Sequence, residues 1–153
     1  MSCYNCDTEP HLDAMPDRER VWVGDHWRVS HAFGTSLPGW LVVVPRRHVL
    51  AIAELTADEA AELGPLLLAV SQALEEVTGC VKTYVAQFAE AEGFAHVHVH
   101  VVARAADMPE DRLGPRVFGY LGVDPSDEVP EETRDDLARR LRPAIKRRLT
   151  APA

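Results

Sequence analysis

An α+β domain, with one antiparallel sheet and helices packed on it, is the fold class this sequence predicts. Three observations lead there. The chain has 153 residues, a length that suits one domain with a single core, and 46% of them are apolar. Five short apolar or alternating segments read as strands, and two longer ones repeat their apolar residues at helical spacing. They run in the order strands, helix, strands, helix, and no internal repeat or low-complexity linker interrupts them.

The first twenty residues are polar and read as irregular. Val21–Val23 and Trp27–Phe33 read as strands joined by the turn at Gly24-Asp25. Pro38-Gly39 turns the chain into Trp40–Val44, a continuous apolar run that reads as a buried strand ending at Pro45. Thr56 and Glu59 form the S/T-x-x-E pattern of a helix start. From there Leu63, Leu66, Leu67, Val70, Leu74 and Val77 follow helical spacing to a stop at Gly79. Gly64-Pro65 is expected to kink this helix or delay its start. Lys82–Ala89 and Ala95–Arg104 read as the last two strands. The stretch from Ala105 to Pro130 holds four prolines and reads as an extended loop with one short element. A final helix, Glu131 to Leu149, carries Leu137, Leu141, Ile145 and Leu149 on one stripe, with an acidic start and a basic end that suit its dipole.

Sixteen basic against twenty-four acidic residues leave a net charge of −8. Duplex binding rests on many cationic contacts, so a nucleic acid is not the expected partner. A small phosphorylated ligand needs only a few local donors and stays open. Lys146-Arg147-Arg148 reads as a solvated helix end on so acidic a chain. No stretch approaches the roughly 20 apolar residues that span a bilayer. The start, MSCYNCDTEP, lacks the basic-then-apolar pattern of a secretory signal, which makes the cytoplasm the expected location.

The most informative stretch is His96-Val97-His98-Val99-His100-Val101-Val102. Side chains alternate faces along a strand, so the three histidines share one face and the valines the other. A lone histidine is most often structural; three on one face of an apolar strand call for a reason. Alternate strand residues lie about 6.6 Å apart, so all three could not reach one metal without severe distortion, although two neighbours could. A row of imidazoles suits a row of substrate atoms: one nitrogen attacks a phosphorus while a neighbour donates to its oxygen. Imidazole can do either near neutral pH, since its ordinary pKa is about 6.5.

This row resembles the His-φ-His-φ-His-φ-φ signature of the histidine triad family, where φ is an apolar residue. Pro38-Gly39, the strand Leu41–Val44 and Pro45-Arg46-Arg47-His48 also resemble the family's common P-G-H-x-L-V-I-P-K-R-H. Lys82-Thr83-Tyr84 and Arg104 resemble one branch of it. The likeness covers about residues 3 to 104 of what reads as a single domain over 1–153, and it adds little for 105–153. It implies a histidine-triad fold and reaction at the α-phosphate of dinucleoside polyphosphates or nucleoside phosphoramidates. His98 then forms a covalent nucleotidyl intermediate, and His100 hydrogen-bonds the substrate near the transferred phosphorus. Gln87, Gly93 and Arg104 are the further substrate-binding positions it implies. It also implies a homodimer whose sheets join, and no catalytic metal.

Two departures bear on substrate choice. Many members carry an acidic residue for the ribose hydroxyls on the strand before the Pro-Gly turn, and Ala32 stands near that place. Just before the triad, small polar groups that contact phosphate give way here to Glu90-Ala91-Glu92-Gly93-Phe94. A carboxylate beside a phosphate repels it, so either Glu92 points away or the substrate is unusual.

Cys3-Tyr4-Asn5-Cys6 alone suggests free thiols, a metal site, or a redox pair that would need a helix start not visible in the sequence. A zinc-binding branch of the triad family has a matching C-x-x-C, with the histidine after P-x-R and the first triad histidine as its other ligands. The resemblance therefore implies structural zinc on Cys3, Cys6, His48 and His96, a closed Cys₂His₂ set. Cys80 reads as a small buried residue, and His11, His26 and His31 as surface or structural, with His31 able to face the site near Ala32. Gly114–Tyr120 looks able to reach over the site.

Three hypotheses follow. The first is a triad phosphohydrolase or nucleotidyl transferase. The second is a binding or regulatory protein that keeps the fold without useful turnover. The third is a metalloenzyme with His96 and His98 on an open zinc.

Overall fold

The computed structural model describes residues 3–152. Strands β1 (Trp22–Val23), β2 (Trp27–His31), β3 (Trp40–Pro45), β4 (Lys82–Gln87) and β5 (Val99–Arg104) form one antiparallel sheet in the order β1-β2-β3-β5-β4. Alternation divides its two faces. Trp27, Val29, Leu41, Val43, Val99, Val101 and Ala103 point to one side and pack under helices α2 (Ala57–Thr78) and α3 (Glu131–Thr150). Trp40, Val42, Val102 and Ala32 point to the other, where Met108, Val117 and Phe118 from the 105–130 stretch cover part of the sheet.

Helix α2 begins as its sequence requires. The Thr56 hydroxyl accepts from the Glu59 amide and the Glu59 carboxylate accepts from the Thr56 amide, a reciprocal cap. It ends at Gly79, whose φ of 72° is the left-handed conformation glycine adopts freely. Pro65 lies inside the helix and does not delay its start. On α3, Arg147 and Arg148 both pair with Glu76 of α2, so the basic end is tied down as well as solvated.

Three expectations need correction. The first twenty residues are ordered: α1 (Tyr4–Thr8) is followed by 3₁₀ turns at Glu9–Ala14 and Asp17–Glu19. Elements this short are marginal by themselves. Long-range bonds hold them, from the Tyr4 amide to the Gly93 carbonyl and from Arg28 to Asn5 and Thr8. The 105–130 stretch has two 3₁₀ elements, Glu110–Arg112 and Gly114–Tyr120, not one. Strand β5 starts at Val99, so only His100 of the three histidines sits in the ladder. Pro45, at the end of β3, has no N–H to extend that ladder, and its carbonyl is taken by the His96 side chain.

The turn into β3 is held from below. Gly39 has φ 80°, and a Cβ there would meet the Ala103 Cβ at 3.0 Å. Its amide donates to Nε2 of His31, and the opposite ring nitrogen, Nδ1–H, donates to the Ala32 carbonyl. Both nitrogens are thus satisfied only in the neutral ring. Burial pushes the His31 pKa down to about 4, helped by the charge of Arg134 and opposed by the Ala32 carbonyl.

A ring held neutral binds its proton more readily in the unfolded chain. Its contribution to stability is therefore complete above about pH 6.5 and lost as pH falls towards about 4. NMR of the His31 ring is expected to show the Nδ1–H tautomer at pH 7 and a titration midpoint near 4. A midpoint near the ordinary histidine value would contradict this account of the turn.

Candidate functional site

Cys3 is the N-cap of α1 and Cys6 lies one turn on, a spacing that puts both thiols on the same side of the helix. His48 follows β3, and His96 precedes β5. Together the four offer ligand atoms that all lie within 4.8 Å of one another. His96 Nδ1 is 3.4 Å from Cys3 Sγ, 3.6 Å from Cys6 Sγ and 3.2 Å from His48 Nδ1, and His48 Nδ1 is 3.2 Å from Cys6 Sγ. A tetrahedral ion with Zn–S near 2.3 Å and Zn–N near 2.0–2.1 Å would space two nitrogens about 3.3 Å apart and a sulfur and a nitrogen about 3.6 Å apart. These four spacings lie within about 0.4 Å of those edges. The donor set, two thiols and two imidazoles, is of the kind zinc favours and fills a tetrahedron without an open position.

The ring of His96 is oriented for this task. Its Nε2 lies 2.8 Å from the Pro45 carbonyl, which can only accept, so Nε2 carries the proton and Nδ1 keeps its lone pair for a metal. The helix start that a redox reading of the cysteine pair requires is present after all. Yet both thiols face imidazole nitrogens, which is the arrangement of a metal site. His98 offers no atom to the cluster, which removes the basis of an open zinc on His96 and His98.

His98 bonds elsewhere. Its Nδ1 is 2.9 Å from the carbonyl of His96, so in the neutral ring Nδ1 holds the proton and Nε2 the lone pair. The His100 ring packs edge-on to it, 4.8 Å away between centroids. His100 is fixed in the opposite tautomer: the Trp40 indole N–H, which can only donate, points at its Nδ1 from 3.0 Å, so the proton sits on Nε2. Burial, and then the charge His98 can carry, push the His100 pKa down to about 4. A lone pair and an N–H donor are thus set side by side on adjacent rings. Phe118 packs edge-on against both Trp40 and His100 and holds the pair from the open side.

His98 and His100 line a cavity of about 380 Å³ between the sheet, α1 and the 3₁₀ stretch Gly114–Tyr120. Phe118 does reach over the site, and His31 and Ala32 both line the cavity. The opposite wall comes from Tyr4, Asn5 and Glu19 in the segment read as irregular. Burial and the neighbouring Glu19 push the Tyr4 phenol up to about 12, which keeps it a donor to that carboxylate. Gln87 and Gly93 flank cavity-lining residues without lining it themselves. Arg104 lies four residues past His100, about 13 Å along β5, and is also absent from the wall. Glu92 is exposed and stays off the wall, whereas exposed Glu90 contributes to it. Trp40 and Glu19 were not singled out for this site from sequence. Trp40 reaches His100 because Val42 pairs with it in the ladder, placing Trp40 diagonally across on the same face, and this register is not written in either strand alone.

No family model and no curated protein sequence matches the chain. Solved structures do. A zinc-bound histidine triad family protein from Mycobacterium smegmatis aligns with a TM-score of 0.67 at 20% identity, over 96% of this chain and 95% of that one. A hypothetical histidine triad nucleotide-binding protein from Sulfolobus tokodaii aligns at 0.69 and 17%, over 94% and 92%. A histidine triad protein from Sinorhizobium meliloti aligns at 0.66 and 26%, over 86% and 91%. With this fold, the His-φ-His-φ-His-φ-φ row and the four-residue cluster at its N-terminus, the chain resembles the zinc-binding branch of the histidine triad family.

Proposed function

We propose that this protein is a nucleotide phosphohydrolase or nucleotidyl transferase that works through a covalent nucleotidyl-His98 intermediate, with structural zinc on Cys3, Cys6, His48 and His96. The observation that carries the reading is the pair of opposed tautomers: a lone pair on His98 Nε2 beside an N–H on His100 Nε2. In the first step His98 Nε2 forms a bond to the α-phosphorus as the bond from phosphorus to the leaving group breaks. His100 Nε2–H donates to a phosphoryl oxygen as charge gathers there. The His96 carbonyl, bonded to Nδ1–H of His98, supports the positive charge that the ring gains on attack. In the second step water, or another acceptor, takes the phosphorus and restores neutral His98. The cavity's aromatic walls suit the base of a nucleotide.

Zinc, when bound, fastens the N-terminal segment to the sheet. A homodimer fits the surface as well. β4 is an edge strand, and Val85 and Phe88 on and beside it are 52% and 62% exposed, so joining sheets there would cover them.

Replacing Cys3 and Cys6 with serine is expected to remove stoichiometric zinc and lower thermal stability, because binding energy to such a metal is also folding energy. Elemental analysis with melting curves decides it. Protein that purifies without zinc, or that melts unchanged without the thiols, contradicts the assignment.

Single-turnover kinetics on a phosphoramidate separates the histidines. His98→Asn is expected to abolish turnover with little change in melting. His100→Ala should slow it by about 10²–10³, the usual effect of losing one donor to a developing charge. His96→Ala should lose zinc and stability first. A substantial residual rate in His98→Asn would show that another group attacks.

Trp40→Phe keeps an aromatic side chain but loses the fused pyrrole ring with the N–H that fixes the His100 tautomer. Melting curves are measured beside the rate to separate the void it leaves at this buried position. A loss of about tenfold in rate is expected, smaller than for His100→Ala, with the ¹⁵N shifts of His100 moving towards mixed tautomers. Unchanged shifts would mean that the indole does not set the donor.

A further inference from the structure

A second cavity, of about 440 Å³, lies between β1, the Glu9–Ala14 turn and α3. Its volume is in the range of small-molecule sites. Arg20, Arg142 and Lys146 bring three positive charges to its wall, against one carboxylate, that of exposed Asp13. Leu12 and the Trp22 indole supply apolar surface. On a chain of net charge −8, such a local concentration of cations calls for a reason. The chemistry of His98 and His100 does not supply it, because none of these residues lines their cavity.

The fold employs these cations only in part. Arg20 is half-buried, and its Nε is buried without a hydrogen-bond partner. Arg28 and Arg134 share that feature, yet each has a carboxylate within 3.4 Å. Among the described residues no carboxylate pairs with Arg20. Arg142 gives one terminal nitrogen to Asp17, at 2.8 Å, and to the Arg20 carbonyl, at 2.9 Å, which ties the two arginines together. Asp17 is itself shared with Arg139. Lys146 follows Arg142 by four residues, one turn along the same face of α3. Its neighbours Arg147 and Arg148 both pair with Glu76, whereas Lys146 has no acidic partner among the described residues. Like charges held together repel, and a buried N–H without an acceptor is costly. An anion that accepts from all three side chains would relieve both costs.

Phosphoryl groups suit these donors. Arginine meets phosphate oxygens with two parallel N–H bonds, and lysine adds a point charge. Three donors spread over one cavity match linked phosphoryl groups better than a single carboxylate. We propose that Arg20, Arg142 and Lys146 form a second ligand site, separate from the catalytic cavity, that binds the phosphate chain of a polyphosphate-bearing small molecule. β1 lies at the opposite edge of the sheet from β4, so a dimer joined along β4 leaves this site open.

The test is a titration of zinc-loaded protein with sodium tripolyphosphate, and with α,β-methylene-ATP, at constant ionic strength. It is followed by ¹H–¹⁵N NMR of the arginine Nε–H and tryptophan indole signals. The Arg20 Nε–H signal is expected to move and to saturate with both ligands. Equal affinities would make the phosphate chain the whole of the recognised group, and tighter binding of the nucleotide would add its ring, packed on Trp22. Arg20→Gln and Lys146→Gln are each expected to weaken tripolyphosphate by about tenfold, the usual effect of losing one charge-assisted bond. Zinc content and melting should stay close to wild type, since neither side chain has a partner in the fold. Should Arg20→Gln fold poorly, Lys146→Gln, at an exposed position, carries the comparison. An Arg20 Nε–H signal that stays still while the rings of His98 and His100 respond would overturn the site. So would variants that bind as tightly as wild type, or shifts that grow without saturating, the mark of general screening of surface charge.

Discussion

The hydrogen bond from His96 Nε2 to the Pro45 carbonyl is the contact on which the rest of the site depends. It occupies the place where β3 and β5 stop pairing, because proline has nothing further to donate. It fixes the tautomer of His96 and so leaves Nδ1 for the cluster with Cys3, Cys6 and His48. The main chain of the same residue then serves the chemistry, since the His96 carbonyl accepts Nδ1–H of His98. A single residue thus has its ring in the metal cluster and its carbonyl on the reactive histidine. The row of histidines divides its tasks because the strand ends inside it.

The second and third histidines are set apart by what each finds at its Nδ1. For His98 it is an acceptor, a backbone carbonyl; for His100 it is a donor, the Trp40 indole. Two chemically identical side chains, two residues apart, therefore present opposite functions at Nε2. Burial reinforces the difference for His100, which is held neutral well below its ordinary pKa and stays a donor through one fixed proton. Phe118, edge-on to both Trp40 and His100, packs against that environment from the cavity side.

Much of this was legible in the sequence, and the parts that were not share a cause. The periodicity of Leu63 to Val77, the Thr56-Glu59 cap and the Gly79 stop are local signals, and α2 follows them. The alternation set His100 opposite Val99 and Val101, whereas Val102 falls on the histidine face beside Trp40; nor could it show where the ladder ends, because that depends on Pro45 in another strand. The metal cluster was reached through likeness to a family and not by spacing, for its ligands come from three separate segments. The helix at Tyr4–Thr8 left no local trace, since its stability comes from Arg28, Gly93 and the cluster. Arg104 carried a plausible motif position, yet its place on β5 sets it too far along the strand from His100 to share the cavity.

The interleaving of Cys3-Tyr4-Asn5-Cys6 shows why the N-terminal segment matters to the site at all. The outer residues of this tetrad face the histidine cluster, while the inner two line the cavity. One helical turn makes both possible, because neighbouring residues point to different sides of it. Tyr4 then reaches Glu19 and the aromatic pair Phe33 and Phe94, and Asn5 accepts from Arg28, which is buried on the sheet. Holding the two thiols in place therefore also holds the wall that faces His98 and His100. A segment too short to fold by its own propensity becomes part of the site because its outer and inner residues are claimed from two directions.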